Sequence, residues 1–107
     1  MNIQFKKGVL ELCVLSTLAR RECYGYELVQ ELSRHIRIAE GTIYPLLRRL
    51  KSDGFVDTHW QESREGPPRK YYRLTDNGMQ MERSLRDEWG RFIQAVQALV
   101  EGEDSHE

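Results

Sequence analysis

Histidine, cysteine and proline are all scarce in this chain, and only the prolines Pro67 and Pro68 adjoin. The three histidines, His35, His59 and His106, lie far apart, and the two cysteines, Cys13 and Cys23, lack the spacing of metal ligands. Both cysteines sit in helical surroundings and read as buried free thiols rather than a disulfide. There is no glycine-rich run of the kind that cradles phosphates; the eight glycines mark turns. No apolar run approaches the roughly 20 residues needed to span a bilayer. The N-terminus, MNIQFKKGVLELCVL, sets Lys6 and Lys7 before an apolar stretch, but Glu11 interrupts it and no small-residue cleavage site follows. It reads as a helix of a cytoplasmic protein. The expectation is therefore no enzyme, no metal, no cofactor and no membrane contact.

What is present fits one small globular domain: 107 residues, 31% charged and 39% hydrophobic. The formal net charge of −1 conceals a strong asymmetry. Residues 1–33 balance. Residues 34–73 carry nine basic against five acidic side chains, +4, and residues 74–107 carry three against eight, −5. Positive charge is concentrated in the middle of the chain, where a polyanion would be met.

That middle contains the stretch EGTIYPLLRRLKSDG, from Glu40 to Gly54. Ile43, Leu46, Leu47 and Leu50 fall at i, i+3, i+4 and i+7, one face of a helix. Gly41, Tyr44, Arg48 and Lys51 gather on the other side, and Thr42 stands at the leading end. Pro45 is tolerable near a helix start, where the first N–H groups have no helical partner. Gly54 suits a left-handed cap at the end. Alone, this is an ordinary amphipathic helix with a solvated basic face. Its neighbours change that reading.

Before it, Val9 to Arg21 is apolar nearly all round and reads as a buried helix. A turn over Glu22–Gly25 leads to a second helix, YGYELVQELSRHI, with Leu28, Val29 and Leu32 inward and Tyr24 and Tyr26 packing its start. Arg37–Ala39 then connects it to the basic helix, which completes a helix-turn-helix outline. After it, Phe55–Gln61 and Lys70–Leu74 alternate as strands of a β-hairpin, with Glu62–Arg69 as a longer loop. Arg64, Arg69 and Lys70 make that hairpin a basic wing. The fold class expected is mainly α with a small β-hairpin: a winged helix-turn-helix over 1–75, then a long C-terminal dimerisation helix and polar tail over 76–107.

YGYEL, GTIYPLLRRLKSDGFV and EGPPRKYYRLTDNG, in this order and spacing, resemble the PadR family of bacterial transcriptional regulators. The resemblance runs from the first helix to about Gly78. It implies a winged helix-turn-helix, a homodimer, repression of transcription and an inverted-repeat site in double-stranded DNA. The short C-terminal region is similar to the compact branch of the family, with one terminal helix. On this reading Thr42, Tyr44, Arg48, Lys51, Arg64, Arg69 and Lys70 meet DNA. A winged-helix protein–protein adaptor and a purely structural dimer are the alternatives.

The terminal helix starts after Thr75 as N-cap, with Asp76 facing the positive end of its dipole. Leu85, Trp89, Phe92, Val96 and Leu99 step by coiled-coil spacing, widened by Ile93 and Val100. The seam is expected to bury against a second copy. Trp89, mid-seam, reads either as interface core or as a platform for a planar aromatic small molecule, as the resemblance to compact relatives implies. On that second reading the site lies between the paired helices, with Leu85, Phe92 and Ile93 beside Trp89 and with Leu12 and Leu15 of the partner's first helix as its walls.

Overall fold

A computed structural model describes residues 3–102, with side chains from Gly8 onward; residues 103–107, with His106 and most of the acidic tail, lie outside it. The order is α1 (Ile3–Arg20), β1 (Cys23–Tyr24), α2 (Gly25–Ser33), α3 (Glu40–Ser52), β2 (Val56–Ser63), β3 (Gly66–Leu74) and α4 (Asp76–Glu101). The strands form one antiparallel sheet in the order β1-β3-β2. This is a winged helix-turn-helix followed by one long helix.

Its core is built where the apolar periodicity placed it. Leu15 of α1, Leu28 of α2, and Ile43, Leu47 and Leu50 of α3 are all fully buried. Val56 and Tyr72 close that core from the sheet side. Burying an aliphatic side chain of this size contributes about 1.5–3 kcal/mol, so three on one face hold α3 firmly. Pro45 is the sixth residue of α3 and forgoes one helical bond, to the carbonyl of Gly41, an exposed residue that water reaches. Gly54 ends the helix at φ 85°, and the N–H groups of Gly54 and Phe55 return to the carbonyls of Lys51 and Leu50 at 3.0 and 2.9 Å. That paired closure satisfies the last carbonyls of α3.

Two expectations about the sheet are corrected. Glu22–Gly25 is not simply a turn: Cys23 and Tyr24 pair with Tyr72 and Tyr71 as a third strand. Two residues are too short to show alternation in a sequence. The hairpin loop is also shorter than the expected Glu62–Arg69, because β2 runs to Ser63 and β3 begins at Gly66, leaving only Arg64 and Glu65 to turn. The register slips between Gln61 and Ser63, opposite Arg69 and Gly66, so β3 carries an extra residue there. Pro67 and Pro68 occupy that bulge, where a missing N–H breaks no regular pairing.

At the other end of β3, Thr75 caps α4 and ties it down. Its Oγ1 accepts from the N–H of Gly78 at 3.0 Å and donates to the carbonyl of Gly54 at 2.7 Å, while its own N–H donates to Phe55 O at 3.1 Å. The first half of α4 then packs on α1. There Glu82, only 4% exposed, accepts from Ser16 Oγ at 2.8 Å and from Arg86 at 2.6 and 3.1 Å. The second half of α4 is uncovered within the chain: Phe92, Leu99 and Val100 are 45%, 84% and 79% exposed.

Gly78 is buried, and a Cβ there would overlap the carbonyl oxygen of Phe55. Gly78→Ala should destabilise the fold by roughly 2–4 kcal/mol despite the higher helix propensity of alanine. The shift of the urea midpoint reads this directly.

Candidate nucleic-acid interface

The exposed side of α3 carries Thr42, Arg48 and Lys51, all of them open to solvent. Arg48 and Lys51 sit three residues apart on one face; Thr42 lies in the first turn, on the flank shared with Pro45 and Arg49. Tyr44 departs from the expectation. It is half-buried, because its ring lies over Gly25 at the start of α2, where an added Cβ would stand 2.8 Å from Cε1 and 3.0 Å from the phenol oxygen. The glycine between Tyr24 and Tyr26 is therefore a seat for Tyr44. Burial pushes the phenols of Tyr44 and Tyr72 above their ordinary range, so both remain neutral hydroxyls.

The wing meets α3 at this seat. Tyr24, Tyr26, Tyr44, Arg69, Lys70 and Tyr72 surround one shallow notch with Gly25. The guanidinium of Arg69 sits 4.5 Å above the Tyr24 ring, and the ammonium of Lys70 lies 5.8 Å from that of Tyr72. Tyr24 also meets Tyr71 edge to face, with centroids 5.5 Å apart. Tyr26 was expected to pack the helix start; instead it is 57% exposed at the notch rim. Sequence reasoning missed this role for Tyr24 and Tyr26. The available signal was two aromatics flanking a glycine just ahead of a helix.

Charge pairing separates two kinds of cation. Arg21, Arg34, Arg49, Arg73 and Arg86 each stand within 4.0 Å of a carboxylate, with Arg49 bridging Glu11 at 2.9 Å and Asp53 at 3.3 Å. Among the described residues, Arg48, Lys51, Arg64, Arg69 and Lys70 have no carboxylate that close. Arg20 and Arg83 have no carboxylate that close either, but they line a different groove, between α1 and α4, while Arg37 stands in the connection before α3 and Arg91 on α4. Cations held over aromatic rings keep their full charge for an outside anion. Backbone phosphates are such anions.

The second set of expected residues lies elsewhere. Leu12, Leu85, Trp89 and Phe92 line a cavity of 350 Å³ between α1 and α4, together with Gly8, Val9 and Glu88. Trp89 and Phe92 are tilted at 32° with centroids 6.0 Å apart. Leu15 does not join them: it is fully buried in the domain core with Leu28, Ile43, Leu47 and Leu50, so it cannot wall this space. Ile93 is half-buried but does not line the cavity.

Residues 14–84 match the Transcriptional regulator PadR-like family. The chain belongs to the PadR family. It is 36% identical over 104 residues to a transcriptional regulator of Mycobacterium tuberculosis, covering 96% of this chain and 92% of that protein. The crystal structure of a PadR-like transcriptional regulator from Bacillus cereus superposes with a TM-score of 0.83 at 38% identity, covering 91% of this chain and 96% of the other. A PadR family transcriptional regulator from Eggerthella lenta gives 0.79 at 37% identity, over 97% and 89%. The matched PadR region runs from the middle of α1 to the first turns of α4, so it contains the whole basic surface. No described helix of this PadR regulator is long and apolar enough to cross a membrane.

The pairing pattern predicts unequal effects of neutralising neighbouring cations. Lys70→Ala should weaken binding to any duplex and lower the slope of log affinity against log salt by about one. Arg73→Ala, three strand residues on, should leave the slope unchanged, since its partner is Asp57 at 3.6 Å. Salt titrations of labelled duplex check both.

Proposed function

We propose that this PadR-family regulator is a cytoplasmic homodimeric repressor that binds an inverted repeat in double-stranded DNA. The observation that carries the reading is the set of cations without a carboxylate partner on α3 and the wing, beside Arg34, Arg49 and Arg73, which carboxylates neutralise. Arg48 and Lys51 would enter the major groove on α3, with Thr42 at its leading end. Tyr44 would meet the backbone from the notch, and Arg64, Arg69 and Lys70 would hold the flanking backbone from the wing.

The exposed aliphatics at the end of α4 support the dimer. They continue one seam, and α4 at about 39 Å for its 26 residues reaches well past the domain it leaves. Two copies joined there would present two α3 helices, matching half-sites about one helical turn apart, roughly 34–36 Å. Gel shifts with DNA selected from fragmented genome should show a wild-type complex that the Arg48→Ala, Lys51→Ala double variant loses. Sedimentation should show a dimer that Leu99→Asp, Val100→Asp converts to monomer without unfolding. Undiminished DNA binding by the first variant, or a persistent dimer in the second, overturns the corresponding part.

The finer part of the proposal is release by a planar aromatic effector at the α1–α4 cavity. Its size is within the range of small-molecule sites, about 300–1,000 Å³. Trp89 and Phe92 offer aromatic faces, Leu12 and Leu85 apolar walls, and Glu88 a carboxylate that favours a cationic ligand. In a Trp60→Phe background, a planar cationic dye should quench the emission of Trp89 and lower operator affinity. Quenching that survives Trp89→Ala, or quenching without any change in DNA binding, removes the effector role.

A further inference from the structure

Among the described residues, the large exposed apolar side chains divide into two groups. Met79, Phe92, Val96, Leu99 and Val100 lie along α4. Tyr26 and Trp60 do not, and Trp60 is 67% exposed in the middle of β2. Placing an indole largely in water forgoes an area of burial that few other side chains can match.

The register shows which way Trp60 faces. Val56 pairs with Leu74, Thr58 with Tyr72 and Trp60 with Lys70. Directly opposed residues share a face, and alternate residues along a strand share it too. Val56 and Tyr72 are buried on this face, beneath α3, and Tyr72 lies beside Tyr44 and Arg48. The opposite face is occupied differently: Asp57 pairs with Arg73, and His59 stacks on Tyr71 while meeting Glu22 at 2.7 Å. Trp60 therefore lies on the α3 side of the wing, one pair beyond the edge of the core. It stands next to an unpaired lysine, between the exposed face of α3 and the hairpin turn at Arg64.

From this placement we infer that Trp60 is a DNA-contacting residue, whose indole packs against the deoxyribose rims of the groove that the wing reaches. The inference rests on the reading that the chain binds duplex DNA. A single exposed indole beside Lys70, on the face that leads to Arg48, suits no apolar protein patch, which would need a contiguous apolar surface here. It does suit a polyanion whose sugars are apolar: Lys70 takes the phosphate, and the ring takes the sugar edge between phosphates. Aromatic and aliphatic side chains of groove-binding proteins make such contacts, and they sense groove width rather than base identity. The indole N–H supplies one donor for a phosphate or groove acceptor. Trp60 adds affinity without adding charge, so its loss leaves the salt dependence alone. That property distinguishes it from Lys70.

The test uses the full chain labelled with 5-fluorotryptophan. Its two tryptophans give two fluorine resonances, assigned with Trp60→Phe. A mixed-sequence duplex is added at low salt, and its affinity is measured in parallel by anisotropy of a dye-labelled copy. The expected result is a shifted or broadened Trp60 resonance on binding, and an affinity loss of about three- to tenfold in Trp60→Ala with an unchanged salt slope. Trp60→Phe should recover most of that loss. If Trp60→Ala melts early, Trp60→Phe and the wild-type resonance decide. A bound duplex that leaves the Trp60 resonance unmoved, or an affinity of Trp60→Ala within about twofold of wild type, overturns the inference and leaves the DNA-binding reading standing. A resonance that moves with single-stranded DNA but not with duplex overturns it too, as base stacking. No duplex binding by the wild type at low salt overturns both.

Discussion

Thr75 holds the molecule together at one point. Its hydroxyl joins the carbonyl of Gly54, just past the end of α3, to the N–H of Gly78 in the first turn of α4, at 2.7 and 3.0 Å. Its backbone N–H takes the carbonyl of Phe55. One residue thus binds the end of α3, the start of β2, the end of β3 and the start of α4. The junction is also crowded, because Gly78 leaves the Phe55 carbonyl no space for a Cβ. Packed junctions of this kind switch between arrangements or stay fixed; they do not bend gradually. The direction of α4 is consequently set by the end of the helix that bears Arg48 and Lys51.

A second tie holds α4 along its length. The Glu82 carboxylate lies buried between α1 and α4, a costly place for a charge unless it is well bonded. The hydrogen bonds from Arg86 hold its pKa below the ordinary glutamate range against the opposing effect of burial, and Ser16 of α1 adds a further bond. A carboxyl depressed in the folded state stabilises the fold above its unfolded pKa and loses that contribution as pH falls through the folded value. At neutral pH the clamp is charged and intact. The basic residues of the chain thereby divide by job: Arg49, Arg73 and Arg86 bind parts of the fold together, whereas Arg48, Lys51 and Lys70 are left with their charge outward.

Much of this was legible from residue spacing. The bounds of α3, its apolar face, the Gly54 closure and the Thr75 cap all depend on interactions within a few residues, and each was read correctly from sequence. The failures share a cause of the opposite kind. Tyr44 is on the outer face by periodicity, yet α2 comes close enough at Gly25 to half-cover it. Leu15 is expected on the partner's first helix as a wall of the Trp89 site, yet it is fully buried in its own domain core, because an all-round apolar helix does not reveal which neighbour each line faces. β1 exists only because β3 lies beside it. Pro67 and Pro68 fall inside the expected Glu62–Arg69 loop because a bulge cannot be seen from one strand alone. In the basic surface, residue types were legible, whereas the pairing that leaves Lys70 free and neutralises Arg73 was not.

These features give the proposed repressor a physical route between its two surfaces. The cavity at Leu12, Leu85, Trp89 and Phe92 is bounded by α1 on one side and α4 on the other. The Glu82 clamp lies one to two turns nearer the DNA-binding end, and the Thr75 junction two turns beyond that. A ligand that wedged α1 from α4 at the cavity would meet the clamp as its first resistance, and any rotation passing it would be delivered to Gly54 and the end of α3. In a two-fold pair joined through α4, the same rotation acts on both recognition helices with opposite sense. Their separation changes while each α3 keeps its shape. Affinity for a two-half-site operator depends on that separation, so a ligand favouring one helix crossing would shift DNA binding by as much as its affinity differs between the two crossings. The DNA face need not be touched for the signal to reach it.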